Sequence, residues 1–412
     1  MKRLNNLYNQ ILDVKIIQNT YDKKIKINTK NKQKLERFEY NYVSNIVYIK
    51  NILEKRKYQV GKYNIFIIKE PKIRLIMSQN IIDKIINHIV TEYFLIRVFE
   101  NTLVNENIAT RKNKGTSYGI KLLKKYLNEV KFKEFYILKF DIEKYFFNID
   151  HSICKKIIRK KIKDKEVLNL LDIIIDSTDC EYVNKTIKKI KENEILKNIK
   201  IKNEISNIPL YKKGKGLPIG NMSSQFLAIL YLNELDHFIK QELNIKYYIR
   251  YMDDGLIIHE NKEYLEYCLQ KTNEIIKKYK LKFNKKTKIY SYKQGFEFLG
   301  FKYYIKNKKV IVKVKNQTKK RFKRKMKSLK KLVNEEKISY DIYHQIQSSY
   351  LGHLKYGNTK KLIEENILIE KNLNMGQIII IKNDNIALKN NYGDNTERWV
   401  CLAWLWICLA RQ

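Results

Sequence analysis

Proline is almost missing from this chain, at three residues in 412, and glycine is scarce at thirteen. So few chain breakers leave no obvious flexible linker, and a chain of this length then folds as two or three packed subdomains. Cysteine supplies no framework either. Cys154, Cys180, Cys268, Cys401 and Cys408 show neither metal-ligand spacing nor a disulfide pattern. No signal peptide or transmembrane span is visible, so the expected location is a reducing cytoplasm. Acidic residues are the remaining shortage: 43 Asp and Glu face 84 Lys and Arg, a formal net charge of +41.

That excess goes far beyond what solubility requires and implies a polyanionic partner bound more weakly as salt rises. A compositional drift towards Lys, Asn and Ile is the competing explanation, but drift alone should raise Glu beside Lys. Nucleic acid is the better reading. The charge is also concentrated: Lys319 to Lys331 holds nine basic residues among thirteen and no acid. Phe322, Met326 and Leu329 recur there at spacings of four and three, which predicts an amphipathic helix with a basic exposed face. A membrane-surface helix would look similar.

Tyr251-Met252-Asp253-Asp254 carries the most chemistry. Its flanks, Tyr247-Tyr248-Ile249-Arg250 and Leu256-Ile257-Ile258-His259, are β-rich, and Asp254-Gly255 is a turn signal, so a tight hairpin is predicted. Two adjacent carboxylates at a hairpin tip repel unless a cation lies between them, which points to a divalent metal. Asp is also an ordinary turn residue, so the reading depends on a third carboxylate. Phe135 to Phe140 is a β-branched and aromatic run that ends in Asp141. A strand delivering one Asp beside a hairpin delivering two can bind two Mg²⁺ ions roughly 3.5–4 Å apart, or Mn²⁺ in their place. One ion would lower the pKa of an attacking hydroxyl and the other would neutralise a leaving pyrophosphate. Asp150 is an alternative ligand, although Asn148 to His151 reads more like the N-cap of the next helix.

Taken in order, Phe140-Asp141 through His151, Gly216-Leu217-Pro218-Ile219-Gly220, Tyr251-Met252-Asp253-Asp254 and Phe298-Leu299-Gly300-Phe301 resemble the motif series of reverse transcriptases, from about residue 63 to about 362. The resemblance implies an α+β right-hand polymerase with fingers, a palm of antiparallel sheet plus helices, and a helical thumb. The expected organisation is an N-terminal helical extension (1–62), fingers (63–135), palm (136–310, with a fingers-like insertion around 155–212), thumb (311–372) and a tail of unknown role (373–412). The implied activity is RNA-directed DNA synthesis, extending a DNA or RNA primer 3′-hydroxyl with dNTPs on an RNA template.

The resemblance also assigns roles. Asp141 and Asp253 are the implied principal metal ligands, with Asp254 supporting and Ile142 offering a backbone carbonyl. Lys286 matches the lysine that protonates leaving pyrophosphate. Lys72 and Arg74 match the triphosphate contacts of the fingers. Phe146 falls where an aromatic gate excludes a ribose 2′-hydroxyl, although at least one ring of Tyr145-Phe146-Phe147 should belong to the core. Ile219, Gly220 and Gln225 line the dNTP pocket. The basic segment Thr110 to Thr116 resembles the fingers motif near the template, with a solvated loop as the plainer reading. The basic helix after Phe301 fits a thumb tracking the duplex backbone without reading sequence.

Many relatives carry Gln-Gly and a later Ser-Pro in the glycine-rich segment, where this chain has Ile219-Gly220 and Ser224-Gln225. That pattern resembles reverse transcriptases of diversity-generating retroelements, which copy RNA with errors concentrated at adenines. A Gln holds a nucleotide by hydrogen bonds and an Ile only by apolar contact, so a looser grip is expected; the alternative is that Ile219 simply packs. This role implies a small basic accessory protein and a structured cognate RNA. A phage-defence, retron-like or group II intron-like reverse transcriptase is the alternative role, and a non-catalytic nucleic-acid-binding scaffold the less favoured class. No ribonuclease H, integrase or zinc-containing endonuclease domain is expected beyond the thumb.

The remaining chain is read coarsely. Residues 1–60 should be mostly helical, with Leu35, Phe38, Tyr42 and Ile46 facing a core. Tyr63 to Ile68 and Lys72 to Met77 read as a strand pair, Ile81 to Phe99 and Phe226 to Ile239 as helices. Residues 180–215 should hold helix and strand. All three tryptophans lie in 399–410, a stretch too short to span a bilayer; it docks on the body, binds a partner, touches a membrane, or reflects an artefact of the gene.

Overall fold

The structure is a computed structural model that describes residues 3–70 and 72–366, with backbone alone at 377–382 and 385–390. Pro71, Cys401, Cys408 and the tryptophan-rich segment lie outside the described residues. No helix among those described is long and apolar enough to cross a membrane.

The N-terminal region is helical, as its composition predicts. Asn31 caps the helix Lys32–Tyr40 by accepting from the Lys34 N–H. Phe38 and Ile46 are buried, and Leu35 and Tyr42 pack against the same core. That layer meets the helix Ile81–Val90, whose Ile85, Ile86, Ile89 and Val90 are wholly buried. Strands β1 (Asn64–Ile68) and β2 (Arg74–Ser78) form an antiparallel pair. Their inner face builds a small separate core with Val183, Ile187 and Tyr211.

The central sheet contains β3 (Tyr136–Asp141), β4 (Tyr247–Tyr251), β5 (Asp254–His259) and β6 (Lys288–Ser291), all antiparallel, in the order β4-β5-β3-β6. Side chains alternate between its faces. Leu138, Phe140, Tyr248 and Ile257 enter the large core shared with the helices Met222–Tyr231 and Lys262–Lys278. Ile137, Ile249, Leu256 and Ile258 pack instead with Ile120, Leu123 and Leu127 of the helix Thr116–Val130. A second sheet, β7 (Phe296–Phe298), β8 (Phe301–Lys306) and β9 (Lys309–Val314), is also antiparallel. The basic helix Asn316–Asn334 lays Phe322, Met326 and Leu329 on the same core as Phe301 and Val312, together with Leu351 of the helix Tyr340–Leu354. Its lysines face outward, as the 4-and-3 spacing predicts.

Three local expectations need correction. The Asp254-Gly255 pair does not form the hairpin turn: Met252-Asp253 does, and Gly255 lies inside β5. Glycine is required there for another reason, because a Cβ would stand 2.0 Å from Cζ of Phe140 on the neighbouring strand. Between residues 180 and 215 there is no strand; the main element is the helix Glu181–Lys197, followed by short helices. Only Val183 and Ile187 of the long helix are fully buried, so lysines obscure its period. Within Thr110 to Thr116, Arg111 is neither solvated nor free for a template. Its guanidinium bonds Glu100 Oε1 at 2.7 Å, Val104 O at 2.6 Å and Asn107 O at 2.8 Å.

Candidate active site

The strand register brings the three aspartates of the central sheet to one end. Asp141 is the direct antiparallel partner of Asp254, so the two side chains leave the same face. Tyr251 opposes Asp254 across the hairpin, which puts Asp253 at the tip of a two-residue turn. Met252 turns the chain with a positive φ of +56°, and Asp253 has no positive φ. A non-glycine residue there stores strain of about 1–3 kcal/mol.

The electrostatics show a surplus of negative charge. Burial and the neighbouring Asp141 push the Asp253 carboxyl up to about 6. Burial, against the pull of Lys139 and with repulsion from Asp141 and Asp253, pushes Asp254 up to about 7. Asp141 is also raised by burial, although Lys139, Lys72 and Lys286 oppose this. The Lys139 ammonium stands 3.4 Å from Asp254 Oδ1, but without hydrogen-bond geometry, and that buried oxygen has no hydrogen bond. A buried carboxylate oxygen with no hydrogen bond, beside two more carboxylates, suits a hard divalent cation. The backbone of Ile142 bridges Phe283, and the flanking hydrogen bonds use the carbonyls of Asp141 and Lys282, not that of Ile142.

Cations face this cluster from other elements. Lys72 and Arg74 act on Asp253, and Lys72 and Lys286 act on Asp141. Lys286 is solvent-exposed, on a segment tied to β3 by the Asn284 N–H to Asp141 O bond of 2.7 Å. Crowding by protein atoms and by Arg74, Lys315 and Lys286 lowers the Lys72 pKa. Lys139 and Lys315 were not singled out from the sequence. Lys139 was accessible to reasoning, since it lies two residues before Asp141 on the same strand face; nothing local marks Lys315.

The pocket candidates sit on a strapped loop. Ile219 accepts from the Met77 N–H at 2.8 Å, which docks the segment on β2. Gly220 has φ +132°, and a Cβ there would lie 2.8 Å from Met77 O. Gln225 is half-buried on the helix Met222–Tyr231. Of the three adjacent aromatics, Tyr145 is the core residue, with its hydroxyl bonded to Ala228 O. Phe146 is partly exposed, edge-on to Tyr145, and its carbonyl accepts from Leu217 N–H at 2.8 Å.

Two other acidic features are accounted for by their partners. Asp150 caps the helix His151–Arg159. Burial alone would raise its pKa, but bonds from Lys280, Ser152 and the Ile153 N–H hold it down to about 2. His151, Asp176 and Asp179 bring ligand-type atoms within 4.8 Å of one another, closer than any other such trio among the described residues. Those carboxylates are already engaged: Lys155 bonds Asp176 at 2.5 Å and the Gly214 N–H bonds Asp179 at 3.0 Å. His151 Nε2 donates to Gly216 O at 2.7 Å, so the trio serves to strap the loop before Ile219.

A family model described as reverse transcriptase (RNA-dependent DNA polymerase) matches residues 62–303, more than half of the chain. The chain belongs to the reverse transcriptase family. Membership brings a palm-type polymerase fold, RNA-directed DNA polymerase activity, and template, primer and nucleotides as ligands. No curated protein matches the chain. The matched region of this reverse transcriptase contains every candidate site residue, from Lys72 to Lys286, while the basic helix Asn316–Asn334 lies beyond it.

Proposed function

We propose that this reverse transcriptase extends a primer 3′-hydroxyl on RNA at the carboxylate cluster of β3 and the β4–β5 turn. The observation that carries the reading is the Asp141–Asp254 register with Asp253 at the turn, in a cluster whose carboxyl pKa values are raised and whose Asp254 Oδ1 is paired only with the Lys139 ammonium. Asp141 and Asp253 are the principal ligands for two Mg²⁺ ions, Asp254 supports them, and the Ile142 carbonyl adds an oxygen. The ions supply a lowered pKa for the attacking hydroxyl and charge neutralisation on the pyrophosphate. Lys72 and Arg74 hold the β- and γ-phosphates, and Lys286 keeps a proton on Nζ for the leaving group. Phe146 walls off a 2′-hydroxyl, while Ile219, Gly220 and Gln225 shape the pocket around the base. Residues 63–135 act as fingers, 136–310 as palm with an insertion around 155–212, and 311–372 as thumb. Asp253→Ala should abolish dNTP incorporation on an RNA template–primer while leaving template–primer binding in place; retained synthesis would refute the assignment.

The same reading takes the product to be error-prone cDNA of a diversity-generating retroelement, made with a small basic accessory protein and a structured cognate RNA. Its support is the pattern itself: Ile219 stands where many relatives have a Gln that can hydrogen-bond a nucleotide, and Ser224-Gln225 where they have Ser-Pro. Apolar contact discriminates between nucleotides less than hydrogen bonding does, by about 10–200-fold against 10⁴-fold or more. Ile219→Gln should therefore lower misincorporation opposite template adenine, read by sequencing the cDNA. Unchanged errors would remove this role and leave the polymerase reading intact.

A further inference from the structure

Arg250 immediately precedes the hairpin that carries Asp253, yet its side chain points away from the carboxylates. It is on the opposite sheet face, wholly buried, and is the largest fully buried side chain among the described residues. Its guanidinium forks onto Asp236, also wholly buried, with Nε to Oδ1 at 2.6 Å and Nη2 to Oδ2 at 2.5 Å. Nη2 also donates to Ile229 O at 2.9 Å, and Nη1 donates to Met252 O at 2.6 Å. Asp236 is held in turn by the Tyr248 hydroxyl at 2.7 Å and by Asn107 Nδ2 at 3.3 Å. The backbone of Arg250 is pinned as well, donating to Glu106 O and accepting from the Ile108 N–H.

A buried ion pair is weak evidence for a stability role, since well-packed apolar residues often replace such pairs without loss. The bond to Met252 is different, because that carbonyl shares a rigid peptide plane with the Asp253 N–H. Holding it fixes the Met252–Asp253 peptide, in a turn whose first residue already sits at φ +56°. The direction in which Asp253 leaves the turn towards Asp141 is set by the same plane. Lysine cannot substitute, since a single ammonium lacks the planar fork that meets Asp236, Ile229 O and Met252 O together.

We propose that Arg250 and Asp236 are positioning residues: the buried pair clamps the Met252 carbonyl and thereby sets the spacing of Asp253 from Asp141 for divalent metal. The inference rests on the metal-site reading above. Mg²⁺ demands near-ideal octahedral geometry, so a misdirected Asp253 weakens Mg²⁺ binding first. Misplacement of about 1 Å by a change away from the chemistry costs about 10²-fold in rate.

The test uses the full chain and three variants: Arg250→Lys, the paired Arg250→Met with Asp236→Leu, and Tyr248→Phe. Each is measured for thermal melting, template–primer affinity, Mn²⁺ binding by electron paramagnetic resonance without substrate, and the Mg²⁺ dependence of kcat and of KM for dNTP. For the paired variant we expect retained folding and template–primer affinity, metal binding weakened about tenfold or more, kcat down about 10²-fold, and little change in KM. Arg250→Lys should fail to rescue metal binding. Tyr248→Phe removes one hydrogen bond and almost no volume, so it carries the test if the larger changes do not fold; a weaker shift in the same direction is expected. Wild-type metal binding and Mg²⁺ dependence in the folded variants would overturn the clamp. Asp253→Ala separates the two claims: if it leaves metal binding and synthesis intact, the site assignment fails, whatever Arg250 does.

Discussion

Asp253 and Asp254 carry carboxyl groups pushed up to about 6 and about 7, both above the 3.8 of a free aspartate, with burial as the first cause. The folded chain therefore holds protons there that the unfolded chain has released. By linkage, the stability these groups contribute is complete below the ordinary carboxylate value and is lost as pH rises through 6 and 7. A divalent cation competes for the same oxygens. The rise in melting temperature caused by Mg²⁺ should accordingly be small near about pH 5 and full above about pH 7.5, as a calorimetric pH series would read. An equal rise at both ends would contradict the assignment. Gly255 offers a second test at this scale. Gly255→Ala puts a methyl into the Phe140 ring and should destabilise the fold by about 1–3 kcal/mol in urea denaturation, as overpacked cores do. A tolerated alanine would mean the strands part more easily than their register implies.

Elements were legible in proportion to how local their signals are. The strand pair, the helix from Ile81 and the hairpin all announced themselves by period or by β-rich composition, and the structure forms them. The turn was misplaced by two residues because a glycine beside an aspartate mimics a turn, while the ring that explains Gly255 lies on a strand more than a hundred residues away. The helix Glu181–Lys197 was hidden by lysines, which replace the contrast between faces that periodicity needs. Arg250–Asp236 was out of reach for the opposite reason: each residue looks ordinary, and only packing reveals the pair. The basic helix Asn316–Asn334 was plain from Phe322, Met326 and Leu329. Its exposed Lys320, Lys323 and Lys327 give an element-scale prediction. Changing all three to Gln should weaken template–primer binding and flatten its salt dependence by about one unit of slope per lost phosphate contact. At saturating template–primer, kcat should be unchanged; an unaltered salt slope would remove the helix from the duplex path.

For the whole molecule, the central sheet explains how a strongly basic chain keeps an acidic centre. Both faces of the sheet close on helices, one of them carries Lys139, Asp141 and Asp254 at its end, and Lys72, Arg74 and Lys286 act on the aspartates there. Burial in this frame raises the carboxyl pKa values, and the same frame brings the cations close enough to act on those carboxylates. The net charge of +41 suits a polyanionic partner, while the three aspartates are the metal site proposed above. Family membership rests on residues 62–303, and the wider polymerase reading extends it to the helices that follow.

Among the described residues, the Asp141–Asp253–Asp254 cluster and the His151–Asp176–Asp179 trio both have metal-ligand chemistry, and telling them apart is the most direct test. Mn²⁺ binding and RNA-templated DNA synthesis should be measured side by side in Asp141→Asn, Asp253→Asn and Asp176→Asn. The site proposed here predicts that the first two lose both properties, while Asp176→Asn retains Mn²⁺ binding and synthesis. Loss of both in Asp176→Asn, with Asp141→Asn and Asp253→Asn unaffected, would contradict it.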